Sequence, residues 1–363
     1  MELLDVTLRE GDQMPGRSYD ADQKIDAGLT LDELGISYLQ VGFPATGEKD
    51  QEVIRTLASE TTADVVGIAR AVERDVELAL EADADVVEVF GPLSELQLEH
   101  AIGASRDEML ERFERVLGLI NDHGATAHVT LVDAFRTEPQ RVIDAASRFA
   151  DAEIVTLADT VGAATPTSVT EYLDTVGQRI DPARLGVHLH DDLGVATANV
   201  FAAYEAGVGK ADVSVASLGE RAGNPALEEV VAIGNLEYEA PFDVRADDLL
   251  PSCQSVLSTL EEDVHSRKAL LGDEVMEHES GIHTAVMLEE PAVFEPFDPA
   301  RFGGERRLLF GAGTGTGGAK GILERAGVAP TDERIDTLLA AFEERGPLET
   351  QQAVSVAEEL FDS

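Results

Sequence analysis

The run Val187-His188-Leu189-His190-Asp191-Asp192-Leu193-Gly194 places two imidazoles one residue apart on an apolar stretch that ends in acids and a glycine. Side chains on a β-strand alternate sides with period two, so both rings project from one face and are able to share a metal ion. The other reading of the same residues is a buried pair whose nitrogens bond backbone carbonyls. Arg9-Glu10-Gly11-Asp12-Gln13 follows the first apolar run, and Asn224 follows the last of the barrel-like runs. Together Glu10, His188, His190 and Asn224 suit a divalent metal such as Mn²⁺, Zn²⁺ or Co²⁺, or Mg²⁺ with water and substrate oxygens in its open positions. Such a metal is a Lewis acid toward a carbonyl, and Arg9 beside it would stabilise the oxyanion that develops. Arg9 and Glu10 are neighbours on the chain and awkwardly placed to pair with each other, which leaves both for chemistry.

These residues meet only if the chain folds into repeated strand–helix units. Apolar runs predict strands over 3–8, 38–43, 63–69, 85–90, 126–132, 154–158, 186–189 and 211–216. Helical patterns alternate with them over 22–34, 48–59, 73–81, 107–121, 139–150, 167–179, 195–205 and 226–236. Eight such units match a (β/α)₈ TIM barrel, for which about 250 residues is typical and whose active face lies at the strands' carboxyl ends. A doubly wound sheet lacks support, because no Gly-x-Gly-x-x-Gly follows the first strand. The organisation expected is a barrel over 1–240 and a smaller, mostly α-helical accessory region over 241–363. In that region 247–271 reads as one long helix, 273–330 as glycine-rich and mostly irregular, and 331–345 and 348–360 as two closing helices. The run Gly311 to Gly318 neither follows a strand nor ends in Gly-Lys-Ser/Thr, so it reads as a flexible loop rather than a phosphate cradle.

Composition sets bounds on partners. Acidic residues outnumber basic ones 71 to 27 over 363 residues, a formal net charge of −44 spread along helix-like segments. This surface excludes a nucleic-acid footprint and suits a salt-rich cytoplasm, where screening removes most self-repulsion. The single cysteine, Cys253, excludes an intramolecular disulfide framework and a thiolate metal cage. With no apolar run long enough to span a bilayer and no signal-peptide pattern, the expected location is cytoplasmic, away from membranes.

Asp5-Val6-Thr7-Leu8-Arg9-Glu10-Gly11-Asp12-Gln13 resembles the first-strand signature of the 2-isopropylmalate synthase and homocitrate synthase family. Gly42-Phe43-Pro44-Ala45, Asp159-Thr160-Val161-Gly162, the segment from His188 to Asn199, Gly219-Glu220-Arg221-Ala222-Gly223-Asn224 and His278-Glu279-Ser280-Gly281-Ile282-His283 are similar to its later motifs, in the same order. The resemblance implies a Claisen-type condensation of acetyl-CoA with a 2-oxo acid by an acyltransferase. It further implies a metal on Glu10, His188 and His190 with Asn224 nearby, Arg9 polarising the ketone and Thr160 holding the carboxylate. His283 resembles the histidine that moves protons to and from the acetyl group, from a region that reaches the neighbouring subunit's barrel, so a homodimer is implied. From the residues alone, Thr160 also reads as a turn cap, Asn224 as an Asx-turn and His283 as a loop histidine.

The sequence departs from the family at three places. A glutamate that precedes Asp-Ala-x-Arg in the family is Val132 here, before Asp133-Ala134-Phe135-Arg136, and a valine moves no proton. Asp133 is no simple substitute, because successive strand residues face opposite sides. Ile-Glu-x-Gly becomes Leu39-Gln40-Val41-Gly42, and Gly-Lys-His-Ser-Gly becomes Gly311-Ala312-Gly313-Thr314-Gly315. The expectation is therefore metal and 2-oxo acid binding, with condensation slowed or served by a rearranged base such as His283 backed by Glu279. One alternative is a metal-dependent carbon–carbon lyase or aldolase, although Cys253 lies in a helical pattern rather than in a lyase's glycine-rich loop. The other is a catalytically impaired ligand-binding paralogue. Ending at Ser363, the chain is expected to escape the leucine inhibition of longer 2-isopropylmalate synthases, while the acceptor acid stays open.

Overall fold

The computed structural model describes residues 1–361. The chain divides into two compact units, Met1–Asp263 and the residues from Val264 onward. In the first, eight parallel strands close a barrel in chain order. They are β1 (Glu2–Asp5), β2 (Tyr38–Gly42), β3 (Asp64–Arg70), β4 (Val86–Pro92), β5 (Thr126–Val132), β6 (Ile154–Asp159), β7 (Leu185–Leu189) and β8 (Lys210–Val213). Pairing of β1 with β8, Leu3 opposite Ala211 and Asp5 opposite Val213, closes the ring. The expected barrel is thus the observed one.

Each strand is buried on both faces, as helices outside the ring demand, and an apolar cluster of Leu4, Val6, Tyr38, Val66 and Val86 fills part of its interior. The chain turns between units by local devices. Asp20 and Gln23 form a capping box at the helix Ala21–Leu34, and Gly35, at φ 97°, ends it.

β1 stops sooner than its apolar run predicts. The Asp5 carboxylate accepts hydrogen bonds from the Thr7 amide and hydroxyl, both at 2.9 Å, and the chain turns there into a short helix, Thr7–Glu10. Arg9 and Glu10 therefore ride on a helical turn at the barrel mouth. The helix expected over 247–271 is also shorter, Leu249–Thr259. Its end is fixed by Gln23 Nε2, which donates to the Thr259 carbonyl at 3.0 Å, and by Glu261, whose φ of 56° leaves the helical path.

The second unit is more regular than its glycines suggest. It holds a sheet ordered β11 (Leu348–Glu349), β10 (Arg307–Phe310), β9 (Glu277–His278), with helices Gly281–Met287, Thr316–Arg325, Asp332–Arg345 and Thr350–Phe361. Phe310, Ile322, Leu338, Phe342 and Ala353 meet in its core. The glycine run read as a flexible loop is partly helical, since Thr316–Gly318 open the helix Thr316–Arg325. A Cβ on Gly281 would stand 2.5 Å from the Gly315 amide nitrogen, so the glycines serve close backbone approach.

Candidate metal centre

The mouth of the barrel brings together residues far apart in the chain. Ligand atoms of Glu10, His188 and His190, all buried, lie within 4.8 Å of one another. His188 and His190 are delivered by β7 and the residue after it, and their rings meet edge to face, 5.2 Å between centroids. Glu10 comes from the turn after β1, with its Oε1 3.6 Å from His188 Nε2. His188 Nδ1 stands 2.9 Å from Asp212 Oδ2, so the carboxylate fixes the ring and leaves Nε2 toward Glu10.

Asn224 lies beside this group. Its Nδ2 donates to the Leu189 carbonyl at 3.0 Å and lies 3.5 Å from His188 Nε2. Two glycines deliver it. Gly223, at φ 80°, has no room for a side chain, because a Cβ would fall 1.6 Å from the Ser217 carbonyl oxygen. Gly219 passes so close to Asn224 Oδ1 that a Cβ would sit at 2.7 Å. Arg221 then ties this loop to the end of β7, with its guanidinium bidentate to Asp192 at 2.9 Å and donating to the Thr160 carbonyl at 2.8 Å.

The donor set fits a cation on an observation independent of residue type. Glu10 Oε2, His190 Nδ1 and Asn224 Oδ1 are buried polar atoms without a hydrogen-bond partner. Buried polar groups are normally satisfied, and leaving one unpaired costs about 1–3 kcal/mol. The unpaired atoms of Glu10 and His190 belong to the three side chains whose ligand atoms lie within 4.8 Å of one another, and a divalent ion bound among them would satisfy such atoms. Charge agrees: burial opposes ionisation of Glu10, but Arg9, His188 and His190 together hold its carboxyl below the usual range. Burial, reinforced by His188, lowers the His190 imidazole to about 4, which keeps it neutral and free to ligate.

Beside these groups lies a cavity of about 220 Å³ lined by Arg9, Gln40, Glu88, Val132, Thr160 and Asp212, among others. Thr160 Oγ1 accepts the Asp133 amide at 2.8 Å, which leaves its own proton to donate into the cavity. Arg9 Nε donates to Gln40 Oε1 at 2.6 Å, and the guanidinium also contacts the Glu10 carboxylate. The expectation that Arg9 and Glu10 would not pair is therefore corrected. On a helical turn, unlike on a strand, both side chains curl over the same opening.

Family comparisons meet this geometry. The family pattern called HMGL-like matches residues 1–245, and the one called homocitrate synthase post-HMGL domain-like matches residues 270–347. The chain is 36% identical to homocitrate synthase AksA of Methanopyrus kandleri over 99% of its own length and 91% of that protein. The chain belongs to the homocitrate synthase and 2-isopropylmalate synthase family. A probable 2-isopropylmalate synthase from the same organism is 34% identical over 95% of the chain and 70% of that protein. Among solved structures, hydroxymethylglutaryl-CoA lyase from Pseudomonas aeruginosa superposes with a TM-score of 0.67 at 26% identity, over 74% of this chain and 95% of that one.

The family residues not at the metal cluster fall as follows. His283 belongs to the second unit, on the helix Gly281–Met287, with its ring stacked on Phe294 at 4.1 Å between centroids. Val132 lines the cavity where the resemblance expects a glutamate. Asp133 does not replace it: its φ is 62°, and its carboxylate is engaged by Arg136 at 2.6 and 2.8 Å. Cys253 is wholly buried in the helix Leu249–Thr259, and burial pushes its thiol well above the ordinary range.

Asp212, Glu88 and Lys210 were not foreseen as site residues. Glu88 is the one charged residue on β4, while Lys210 and Asp212 alternate with Ala211 and Val213 on β8, and all three are buried to 2% exposure or less.

Proposed function

We propose that this chain is an acyltransferase that condenses acetyl-CoA with a 2-oxo acid, the acetyl methyl carbon forming a bond to the ketone carbon before water releases CoA. The observation that carries the reading is the meeting of Glu10, His188 and His190, with Asn224 beside His188, next to a cavity lined by His188, His190, Arg9 and Thr160. A divalent cation there, Mn²⁺, Mg²⁺, Zn²⁺ or Co²⁺, would supply Lewis-acid polarisation of the acceptor. Arg9 places positive charge where the ketone oxygen becomes negative, and Thr160 donates to the acceptor's carboxylate. Relatives named homocitrate synthase, 2-isopropylmalate synthase and putative (R)-citramalate synthase support this reaction class.

His283 is proposed to move the proton of the acetyl methyl group, reaching the barrel of a second copy in a homodimer. Exposed Ile282 and Val293 beside it support an interface there. The barrel is assigned to 1–240, with residues 241–263 packed in the same compact unit, and the accessory region to the residues from Val264 onward, in a salt-rich cytoplasm. That setting agrees with the net charge of −44, and no helix among the described residues is long and apolar enough to cross a membrane. The lyase alternative loses ground with Cys253 buried in a helix. A paralogue that binds ligand without turnover is favoured by Val132 alone.

The test is incubation of the purified protein in molar KCl with Mn²⁺, acetyl-CoA and, in turn, glyoxylate, pyruvate, 2-oxoisovalerate and 2-oxoglutarate, reading free thiol. Thiol release that requires one of these acids is expected. Absence of release with every acid overturns the condensing reading.

A further inference from the structure

Beneath Glu10, His188 and His190 the barrel encloses a run of polar contacts whose inner members, Gln40, Glu88 and Lys210, have no part in the reaction as proposed. From Arg9 it passes through Gln40 Oε1 at 2.6 Å, and from Gln40 Nε2 to Glu88 Oε2 at 2.5 Å. Glu88 Oε1 accepts from the Thr130 hydroxyl and lies 3.3 Å from Lys210 Nζ. Lys210 is in turn 3.2 Å from Asp212 Oδ1, whose other oxygen holds His188. With His188 facing Glu10 and Glu10 touching Arg9, the contacts form a closed ring. All its members but Arg9 are buried.

Burying a carboxylate and an ammonium is costly unless both are paired and hydrogen-bonded, and an apolar pair of similar size would be as stable or more so. The ring is therefore poorly explained as scaffolding. Its geometry has a directional consequence. An amide such as Gln40 offers the same shape in two orientations, one presenting oxygen to Arg9 and one presenting nitrogen. Glu88 accepts hydrogen bonds only, so Gln40 must turn its NH₂ toward Glu88 and its oxygen toward the guanidinium. Lys210 keeps Glu88 ionised and hence an acceptor.

We propose that Glu88, held between Lys210 and Gln40, is the positioning residue that orients Gln40 and so aims Arg9 at the ketone of the 2-oxo acid. The carboxylate that the resemblance places on β2, where Gln40 stands, is supplied here from β4. This inference rests on the proposed function, because it needs a ketone for Arg9 to face. Glu88 touches no substrate in this role and acts through Gln40.

The experiment compares the unaltered chain, Glu88→Gln, Gln40→Leu and the exchange Gln40→Glu/Glu88→Gln. Readouts are kcat and KM with acetyl-CoA and the accepted 2-oxo acid, metal-dependent binding of that acid by calorimetry, Mn²⁺ affinity and thermal unfolding. Glu88→Gln and Gln40→Leu are expected to lower kcat by about tenfold to a hundredfold, as misplacing a catalytic group does, with KM for acetyl-CoA unchanged. The exchange, which returns a carboxylate to Arg9 directly, is expected to recover most of the loss. A merely structural role would lower the melting temperature in proportion and gain nothing from the exchange, and that result overturns the inference. Equal kcat and acid binding in Glu88→Gln and the unaltered chain overturn it as well while leaving the condensing reading intact. Failure of the unaltered chain to bind any 2-oxo acid overturns both.

Discussion

Asp212 Oδ2 stands 2.9 Å from His188 Nδ1, a buried carboxylate holding a buried imidazole so that its other nitrogen faces Glu10. Outer partners of this kind fix ring orientation and ligand basicity, and their loss commonly costs about ten- to a hundredfold in metal affinity. Asp212→Asn is expected to weaken Mn²⁺ binding by that factor. Calorimetric titration checks it, and full affinity in the variant would show that the ring needs no such support.

The same centre should couple metal to folding. A ligand that binds only the folded state raises stability by about 2.7 kcal/mol at a hundredfold excess over its Kd. Mn²⁺ is expected to raise the melting temperature and EDTA to reverse the gain. Glu10→Ala, His188→Ala and His190→Ala should each abolish the Mn²⁺ response.

Val132 lines the cavity where the family has a proton-transferring glutamate. A positioned base is worth about 10²- to 10⁴-fold in rate. Val132→Glu is expected to raise kcat at least tenfold, since Thr160, Arg9 and the metal cluster already stand around the space it would enter. A variant slower than the unaltered chain would mean that proton transfer has moved to other groups around which a carboxylate is in the way.

Much of the fold was legible because barrel strands buried on both faces leave continuous apolar runs, and β5 and the helix Glu73–Glu81 were foreseen to the residue. The meeting of His188 and His190 was legible too, as His-x-His at a strand end needs only period two to put both rings on one face. Lys210 fell outside the predicted run 211–216, while Asp212 was visible as the lone charge in that run and Glu88 as the lone charge in apolar β4, but not what each would meet. That depends on closure of the ring and on register, Glu88 opposite His128 and Gly186 opposite Lys210, which no local pattern encodes. The Arg9–Glu10 pair was misjudged for a related reason: Asp5 ends β1 early through its bonds to Thr7, and so changes where the next residues point.

His128 on β5 is fully buried with neither ring nitrogen bonded, and burial, aided by nearby Lys210, lowers it from 6.5 to about 4. The folded chain thus keeps it neutral while the unfolded chain binds a proton. Its contribution is intact above pH 6.5 and is lost as pH falls toward 4, by about 3 kcal/mol at about 1.4 kcal/mol per pH unit. Asp5, raised to about 7 by burial, acts in the opposite sense between its ordinary value and 7, so the comparison must be with a variant. His128→Asn is expected to flatten the fall in stability between pH 6.5 and 4, measured by denaturant unfolding. Parallel curves for the two proteins would remove His128 as a source of acid sensitivity.

A net charge of −44 spread over the surface predicts a strong salt response. Like charges repel across a Debye length of about 10 Å at 0.1 M salt and about 3 Å at 1 M. The melting temperature is expected to climb steeply with KCl and then level off once neighbouring acids are screened. A flat profile between 0.1 and 2 M would show that the surface pairs already balance the repulsion.

Gly223 carries the last prediction, because two demands meet at one backbone position. Its carbonyl accepts the Asp191 amide at 2.8 Å, its φ is 80°, and a Cβ would overlap the Ser217 carbonyl oxygen. Gly223→Ala must therefore shift the loop that delivers Asn224. Gly16 shares the φ of 80° but has open space around it, so Gly16→Ala measures conformational strain alone, about 1 kcal/mol. Both variants should lose stability, Gly223→Ala the more. Only Gly223→Ala should lose Mn²⁺ affinity, because only there does the displaced backbone carry the Asn224 oxygen, which is buried and unpaired without the ion. If the two variants bound Mn²⁺ equally well, Asn224 would be a loop residue with no part in the metal centre.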